Sequence, residues 1–387
     1  MSAKSCAIQQ YQAPLRRSTL EERAMPNQRL VRVFGIDNAF TTTNTNYYRS
    51  FVTKVRLELR TSNDDWRYLA GITFESIGHR LSDVEDRQAS FVLVDFVQIV
   101  VFRAVMFKFF SSVPMPSDED IKSITSKINT LWIASKNQEE PLGASMEKEK
   151  EGLLLQLRDL FHIPQDQRIE GPHNPLNILL PAYETLWRIV LRLLIEVRFR
   201  NTEEEYSHNN LLFEAFLSNP SPRTFDKEEF LSFSVKNIVN PNPRILDKKG
   251  RTRISVHHIV NEGLRLYPPT RRIYRQMSDE KVSVDVENLQ RNPEFWGLDA
   301  SEFQPGRFDG MKLCKMPFLP FGAGVFECPA KNTFGPMMIG ILVSALTLRI
   351  GKQYRLSGEG VEDVTRNKVP LENGRKAYED LLVELVR

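Results

Sequence analysis

The sequence predicts a mainly α-helical fold with a small β portion. Three observations predict it. Apolar residues recur at three- and four-residue spacing through most of the chain, the period of a helix with one buried face. Only one stretch, KVSVDV (281–286), alternates as a strand would. A Pro-, Gly- and aromatic-rich stretch from Asn288 to about Ala330 has neither period, yet Phe295, Trp296, Phe303, Phe308 and Phe318 give it apolar mass to wrap against a core. With 387 residues, 41% of them hydrophobic, the chain can bury a large core.

Residues 1–35 are expected to form a polar N-terminal extension, and residues 36–387 one domain. Helical periodicity marks 47–60, 66–79, 85–110, 119–136 and 146–161. Phe91 to Phe110 is long enough to span a bilayer, but Asp95, Gln98, Arg103 and Lys108 interrupt it. It therefore reads as a core helix, with aromatics that are candidates for peripheral membrane contact. HIPQDQRIEGPHNP is a linker. LNILLPAYETLWRIVLRLLIEVRF is the next long helix. SNPSPRTFDKEEF and NPNPRILDKKGRT are loops, the first leading to a short helix. ISVHHIVNEGLRL is a helix stopped by Pro268 and Pro269. No clear hairpin is expected between Arg275 and Asn292. The last strong helix lies near PMMIGILVSALTL.

The balance of 52 basic and 49 acidic residues, net +3, argues against a nucleic-acid partner. Three cysteines, Cys6, Cys314 and Cys328, cannot build a disulfide framework. The first thirty residues carry no apolar run, so neither a secretory signal nor a transmembrane anchor is expected there, and the chain reads as cytoplasmic or cytosol-facing.

Cys328 lies in FGAGVFECPA, between a glycine turn and an apolar helix. It could be a buried filler, a nucleophile or a metal ligand. A nucleophile needs a base, and no His stands in a thiol-hydrolase context. Zinc needs more Cys or His ligands, and no CxxC is present. Haem iron needs a single strong axial ligand, which a thiolate supplies. Gly322 and Gly324 allow positive φ and close backbone approach, and the start of the next helix can favour a thiolate.

Three further stretches bear on the choice. NEGLRLYPP puts Glu262 and Arg265 three apart on one helix face, ASEFQPGRFDG puts Arg307 in the aromatic loop, and LLPAYETLW puts Glu184 beside Thr185 in an apolar helix. With these residues, the chain over roughly 176–350 resembles the cytochrome P-450 family of haem-thiolate monooxygenases, in a short, fungal-type form. The resemblance implies haem b held by Cys328 as the axial iron ligand, with Phe321, Gly322 and Gly324 shaping the ligand turn. It implies a structural triad of Glu262, Arg265 and Arg307 that pins the loop before the cysteine. Thr185 and Glu184 would serve proton delivery, and Arg272 and Arg275 would hold a haem propionate, a role Arg49 also matches. Electrons would come from an NADPH-cytochrome P-450 reductase, since no dinucleotide fingerprint is present. The family implies oxidation of an apolar small molecule, of terpenoid or polyketide type in secondary metabolism, at a cytosol-facing endoplasmic reticulum surface. Three positions depart from the family: Phe326 where a basic residue usually stands, Ala330 for a glycine, and Pro336 in the expected helix, which either kinks there or begins late with Pro336 in its first turn. They leave a homologue without monooxygenase activity as an alternative. A haem-thiolate isomerase or dehydratase needing no reductase is another.

Overall fold

The computed structural model describes residues 12–86, 90–136, 143–230, 253–366 and 369–386. Cys6 and the loop read at 240–252 lie outside the described residues. Helices dominate, and local chemistry sets their ends. Thr19 and Glu22 cap α1 (Leu20–Ala24) reciprocally, each side chain taking the other's backbone N–H. Helix α2 (Gln28–Phe34) stops at Gly35, whose φ of 62° suits glycine. Asn44 caps α3 (Thr45–Glu58) and Ser117 caps α6 (Asp118–Ala134). Between them run α4 (Asn63–Asp86), the short strand β1 (Phe91–Val92) and α5 (Leu93–Phe109). Then come α7 (Ala144–Leu160), α8 (Leu176–Leu194), α9 (Glu203–Ser218) and α10 (Val256–Leu266). Helix α8 continues as a wider π turn over Ile195–Arg200.

After α10 the chain forms an antiparallel hairpin, β2 (Arg272–Met277) with β3 (Glu280–Asp285), followed by α11 (Phe334–Arg349). Strand β5 (Leu382–Leu385) lies between β1 and β4 (Tyr354–Ser357) in a three-stranded sheet. The main core forms where α8 packs on α5, α10 and α11, and α11 packs on α4 and α9. Gly263 makes one of these approaches possible, because a Cβ there would meet Leu193 at 2.4 Å. Helix α5 is a core helix, as its interrupting charges predict. Among the described residues no helix is long and apolar enough to cross a membrane.

Two expectations need correction, and one open alternative is decided. The expected N-terminal extension is anchored from Leu15: Leu15, Ala24, Leu30, Val33 and Phe34 are buried. Their spacing is that of two short amphipathic helices diluted by charge. A hairpin does follow Arg275. Ser278, at φ 52°, supplies the left-handed turn residue that the sequence hides, because glycine or asparagine is the usual signal. Of the two readings of Pro336, the late start holds: α11 begins at Phe334, so Pro336 is its third residue and sits in the first turn, where no intrahelical N–H is needed. Pro181, by contrast, lies inside α8. Its ring leaves the Asn177 carbonyl without a helical donor, and Asn38 Nδ2 takes that place at 3.3 Å.

Candidate functional site

The site is built from the end of α10, the aromatic loop, the cysteine turn and the middle of α8. On α10, Glu262 and Arg265 are fully buried and meet in a bidentate pair, with Arg265 Nε to Glu262 Oε2 at 2.7 Å and Nη2 to Oε1 at 2.8 Å. Arg307 approaches from the loop, its Nε donating to Glu262 Oε1 at 3.2 Å. The backbone N–H of Gln304 reaches the same oxygen at 2.8 Å. Burial would push the Glu262 carboxyl up, but Arg265 and Arg307 outweigh it and hold it below the usual carboxylate value. The remaining Arg265 donors take the carbonyls of Gln290, Ala300 and Glu302. Arg307 spends its own on Asp299 and the Trp296 carbonyl. One helix turn thereby fixes the path of the whole aromatic loop.

Two partners in this network were not legible in the sequence. Asp299 gives Arg307 a second carboxylate. Gln290 donates to the carbonyls of Leu264 and Arg265, and its side-chain oxygen accepts the Leu319 N–H at 2.6 Å. Gln290 therefore ties the end of α10 to the residues that open the cysteine turn. No local pattern marks either residue, because each partner is distant in sequence.

In the turn, Gly322 and Gly324 both take positive φ, 72° and 76°. The chain folds back so that the Cys328 N–H donates to the Phe321 carbonyl at 2.9 Å. Phe321 slides beneath the start of α11, where a Cβ on Gly335 would meet its ring at 2.9 Å. Burial pushes the Cys328 thiol up, while the Ala330 backbone N–H at the sulfur and the nearby Arg23 guanidinium pull the other way. The sequence reading looks to the start of the following helix for amides that favour the thiolate. That helix begins only at Phe334, and the amide facing the sulfur is that of Ala330. Gly324 is the most demanding position: a Cβ would lie 2.7 Å from the Leu15 carbonyl oxygen and 2.8 Å from the Arg16 Cα. Gly324→Ala is therefore expected to displace the turn and cost about 1–3 kcal/mol of stability, read from the urea midpoint.

Phe326 stands under two guanidiniums, with Arg23 at 4.8 Å and Arg275 at 5.8 Å from its ring centre. The Tyr48 ring meets it edge-on at 5.6 Å. Both arginines are buried, and among the described residues neither has a carboxylate partner. Arg275 donates to Ser18 Oγ and the Tyr274 carbonyl, and Arg23 to the Ala39 carbonyl. Burial, with Arg275 adding to it, brings the Arg23 pKa down to about 10. Arg272 is not brought here. It lies three residues from Arg275, on the opposite face of the strand, and pairs with Asp285 across the hairpin at 2.9 Å. Arg49 is exposed. Arg23 was missed because it lies in the stretch read as a polar extension.

On α8, Glu184 is buried and its Oε2 meets Arg375 Nη2 at 2.5 Å. Thr185 is exposed in the middle of a helix whose following turns are buried. Ile178, Pro181, Ala182 and Thr185, at three- and four-residue spacing, make one accessible stripe on an otherwise enclosed helix. The Thr185 hydroxyl donates to the Pro181 carbonyl at 2.9 Å.

The comparisons agree with this architecture. The Cytochrome P450 family model matches residues 255–349, a span that holds Glu262, Arg265, Arg307 and Cys328. Cytochrome P450 714A2 of Arabidopsis thaliana is 39% identical over 101 residues, covering 22% of this chain and 19% of its own length. The cytochrome P450 monooxygenase iccC of Talaromyces variabilis is 50% identical over 73 residues, covering 19% of this chain and 13% of its own. The cytochrome P450 monooxygenase iliC of Neonectria sp. (strain DH2) is 40% identical over 74 residues, covering 19% and 14%. The matches thus span less than a fifth of the length of these relatives. A six-coordinated cytochrome P450 from Thermus thermophilus superposes with a TM-score of 0.58 at 14% identity, over 97% of this chain and 90% of its own. The chain has the cytochrome P450 fold, and its residues 255–349 match the Cytochrome P450 family model.

The prosthetic group of that family is haem b, and the residues present fit it. A thiol with a backbone amide at its sulfur lies in a turn of glycines. Two buried guanidiniums, without carboxylate partners among the described residues, stand beside that turn, suited to two propionates. The accessible stripe of α8 leaves an apolar helix face uncovered.

Proposed function

We propose that the protein is a haem-thiolate monooxygenase acting on a largely apolar small molecule of secondary metabolism, with electrons supplied by a separate NADPH-dependent reductase. The observation that carries this reading is the cysteine turn, where Cys328 and the Ala330 amide would supply one iron ligand and the arginine pair around Phe326 two anion anchors. Haem bound through a thiolate activates dioxygen reductively, so that one oxygen atom enters an organic substrate and the other leaves as water. In this reading Cys328 is the metal ligand, and Phe321, Gly322 and Gly324 hold it in place. Arg275 and Arg23 bind the propionates, and Arg23 takes the place of the basic residue that Phe326 replaces. Glu262, Arg265 and Arg307 set the loop that presents the turn. Pro181 and Thr185 share the accessible face of α8, where the Thr185 hydroxyl can accept one hydrogen bond while donating another and so hand on a proton. Glu184, fixed by Arg375, is the carboxylate next to it.

Thr185→Val keeps the shape and removes the hydroxyl. NADPH consumption is expected to continue while product formed per NADPH falls by roughly tenfold or more, with hydrogen peroxide appearing instead. The assay runs purified protein with reductase, NADPH and candidate substrates, reading product and peroxide together. Unchanged yield would remove Thr185 from proton delivery. Product formed without NADPH or dioxygen would favour an isomerase or dehydratase.

A further inference from the structure

Trp132, near the C-terminal end of α6, has two cations at its ring: the Arg375 guanidinium 4.4 Å from the ring centre and that of Arg29 at 5.2 Å. They arrive from opposite ends of the chain, Arg29 on α2 and Arg375 from the segment between β4 and β5. Arg29 donates to Ser135 Oγ, and the next residue, the exposed Lys136, feels the charges of Arg375, Arg188 and Arg29. One turn along α8 from Glu184, Arg188 has no carboxylate among the described residues. It bonds the Pro269 carbonyl and the Asn373 carbonyl at 2.8 Å each, and the Asn373 side-chain oxygen at 3.3 Å. Arg375, itself paired with Glu184, is thus within electrostatic reach of three further cations, Arg29, Lys136 and Arg188. Arg271, at the rim, is matched by Glu287.

This concentration of charge is unfavourable as it stands. Burial, with Arg375 adding to it, pushes Arg29 down, and burial with Arg375 and Arg192 brings Arg188 to about 9. Burial and then Arg375, Arg188, Arg29 and Arg271 push Lys136 down. Structural clusters of like charge are normally relieved by interleaved carboxylates, as the triad around Glu262 is. Here the excess remains, beside an aromatic face, and next to the helix whose Thr185 face is accessible. The cluster is distinct from Arg23 and Arg275, which flank Phe326 in the cysteine turn.

We propose that Arg29, Arg375 and Lys136, with the Trp132 ring, form a subsite for a singly charged oxygen anion, a carboxylate or enolate, on an otherwise apolar substrate. The anion is held at the cluster while its apolar body lies along the Ile178–Thr185 stripe. Arg29 and Arg375 supply planar donors that match such an anion, Lys136 adds charge at the edge, and Trp132 supplies a flat wall. The identity of the ligand as a substrate rests on the monooxygenase reading, whereas the preference for an anion does not.

The test is calorimetric binding of submicellar dodecanoate and dodecanol to the haem-loaded protein, with a reduced carbon-monoxide spectrum taken on the same sample. Dodecanoate is expected to bind at least about tenfold tighter than dodecanol, and the margin should shrink with added salt. Arg29→Gln and Arg375→Gln should each reduce the margin to less than about threefold. Arg375→Gln also unpairs Glu184 and could disturb folding, but Arg29→Gln leaves that pair intact and carries the test alone. Equal binding of the acid and the alcohol, or a margin unchanged in Arg29→Gln, would overturn the proposal. A normal thiolate spectrum without the margin defeats the subsite alone. A margin without the thiolate spectrum defeats the monooxygenase reading and leaves the subsite standing.

Discussion

Glu262→Gln is expected to destabilise the fold by about 3–5 kcal/mol, the usual cost of removing one partner from a buried ion pair. Glu262 is fully buried and is the carboxylate between Arg265 and Arg307. The amide keeps its shape but can accept on one atom only, so the bidentate face toward Arg265 is lost and a buried guanidinium is left under-compensated. Arg307 suffers less, because Asp299 remains to it. The same logic sets a pH dependence. The Glu262 carboxyl sits below its ordinary value in the folded protein, so its contribution is fully present above the ordinary carboxylate pKa. It is lost as pH falls through the depressed folded value. Glu262→Gln should therefore flatten the acid limb of the stability curve, measured from urea midpoints across pH. A change under about 1 kcal/mol at neutral pH would mean the triad does not hold the loop.

Replacing the arginines beside Phe326 should act on haem retention. Charge-assisted hydrogen bonds contribute about 1.5–3 kcal/mol each, so Arg23→Gln and Arg275→Gln should each speed haem loss roughly tenfold or more, and the double variant further. Transfer of haem to an excess of a scavenging globin reads this directly. The prediction answers the doubt raised by Phe326, since an aromatic there removes one cation from the turn and positions two others over its ring. If Arg23→Gln retains haem as the parent does while Arg275→Gln loses it, Arg23 is only a packing residue.

Much of this site was readable in the sequence because its parts are local. A carboxylate and a guanidinium three apart on a helix must share a face, and two glycines ahead of a lone cysteine announce a special turn. Arg307 could be named because the loop carrying it resembles a family. What stayed hidden depends on chain path. Gln290 matters only because the chain returns from the hairpin past the end of α10. Arg23 matters only because α1 docks on the cysteine turn, with Leu15 and Arg16 against Gly324. The period of two on β2 separates Arg272 from Arg275 once the hairpin is known, but Ser278 in a left-handed turn gave the hairpin no signal. The two cations on Trp132 come from α2 and from the segment between β4 and β5, and no window of sequence holds them together.

The measurement that tests the central claim most directly is the reduced, carbon-monoxide-bound absorption spectrum of the purified, haem-loaded protein beside its Cys328→Ser variant. A strongly red-shifted Soret band in the parent, lost in the variant, is the predicted result and places the Cys328 thiolate on the iron. Well-folded protein that takes up no haem, or a band that survives the substitution, would contradict it.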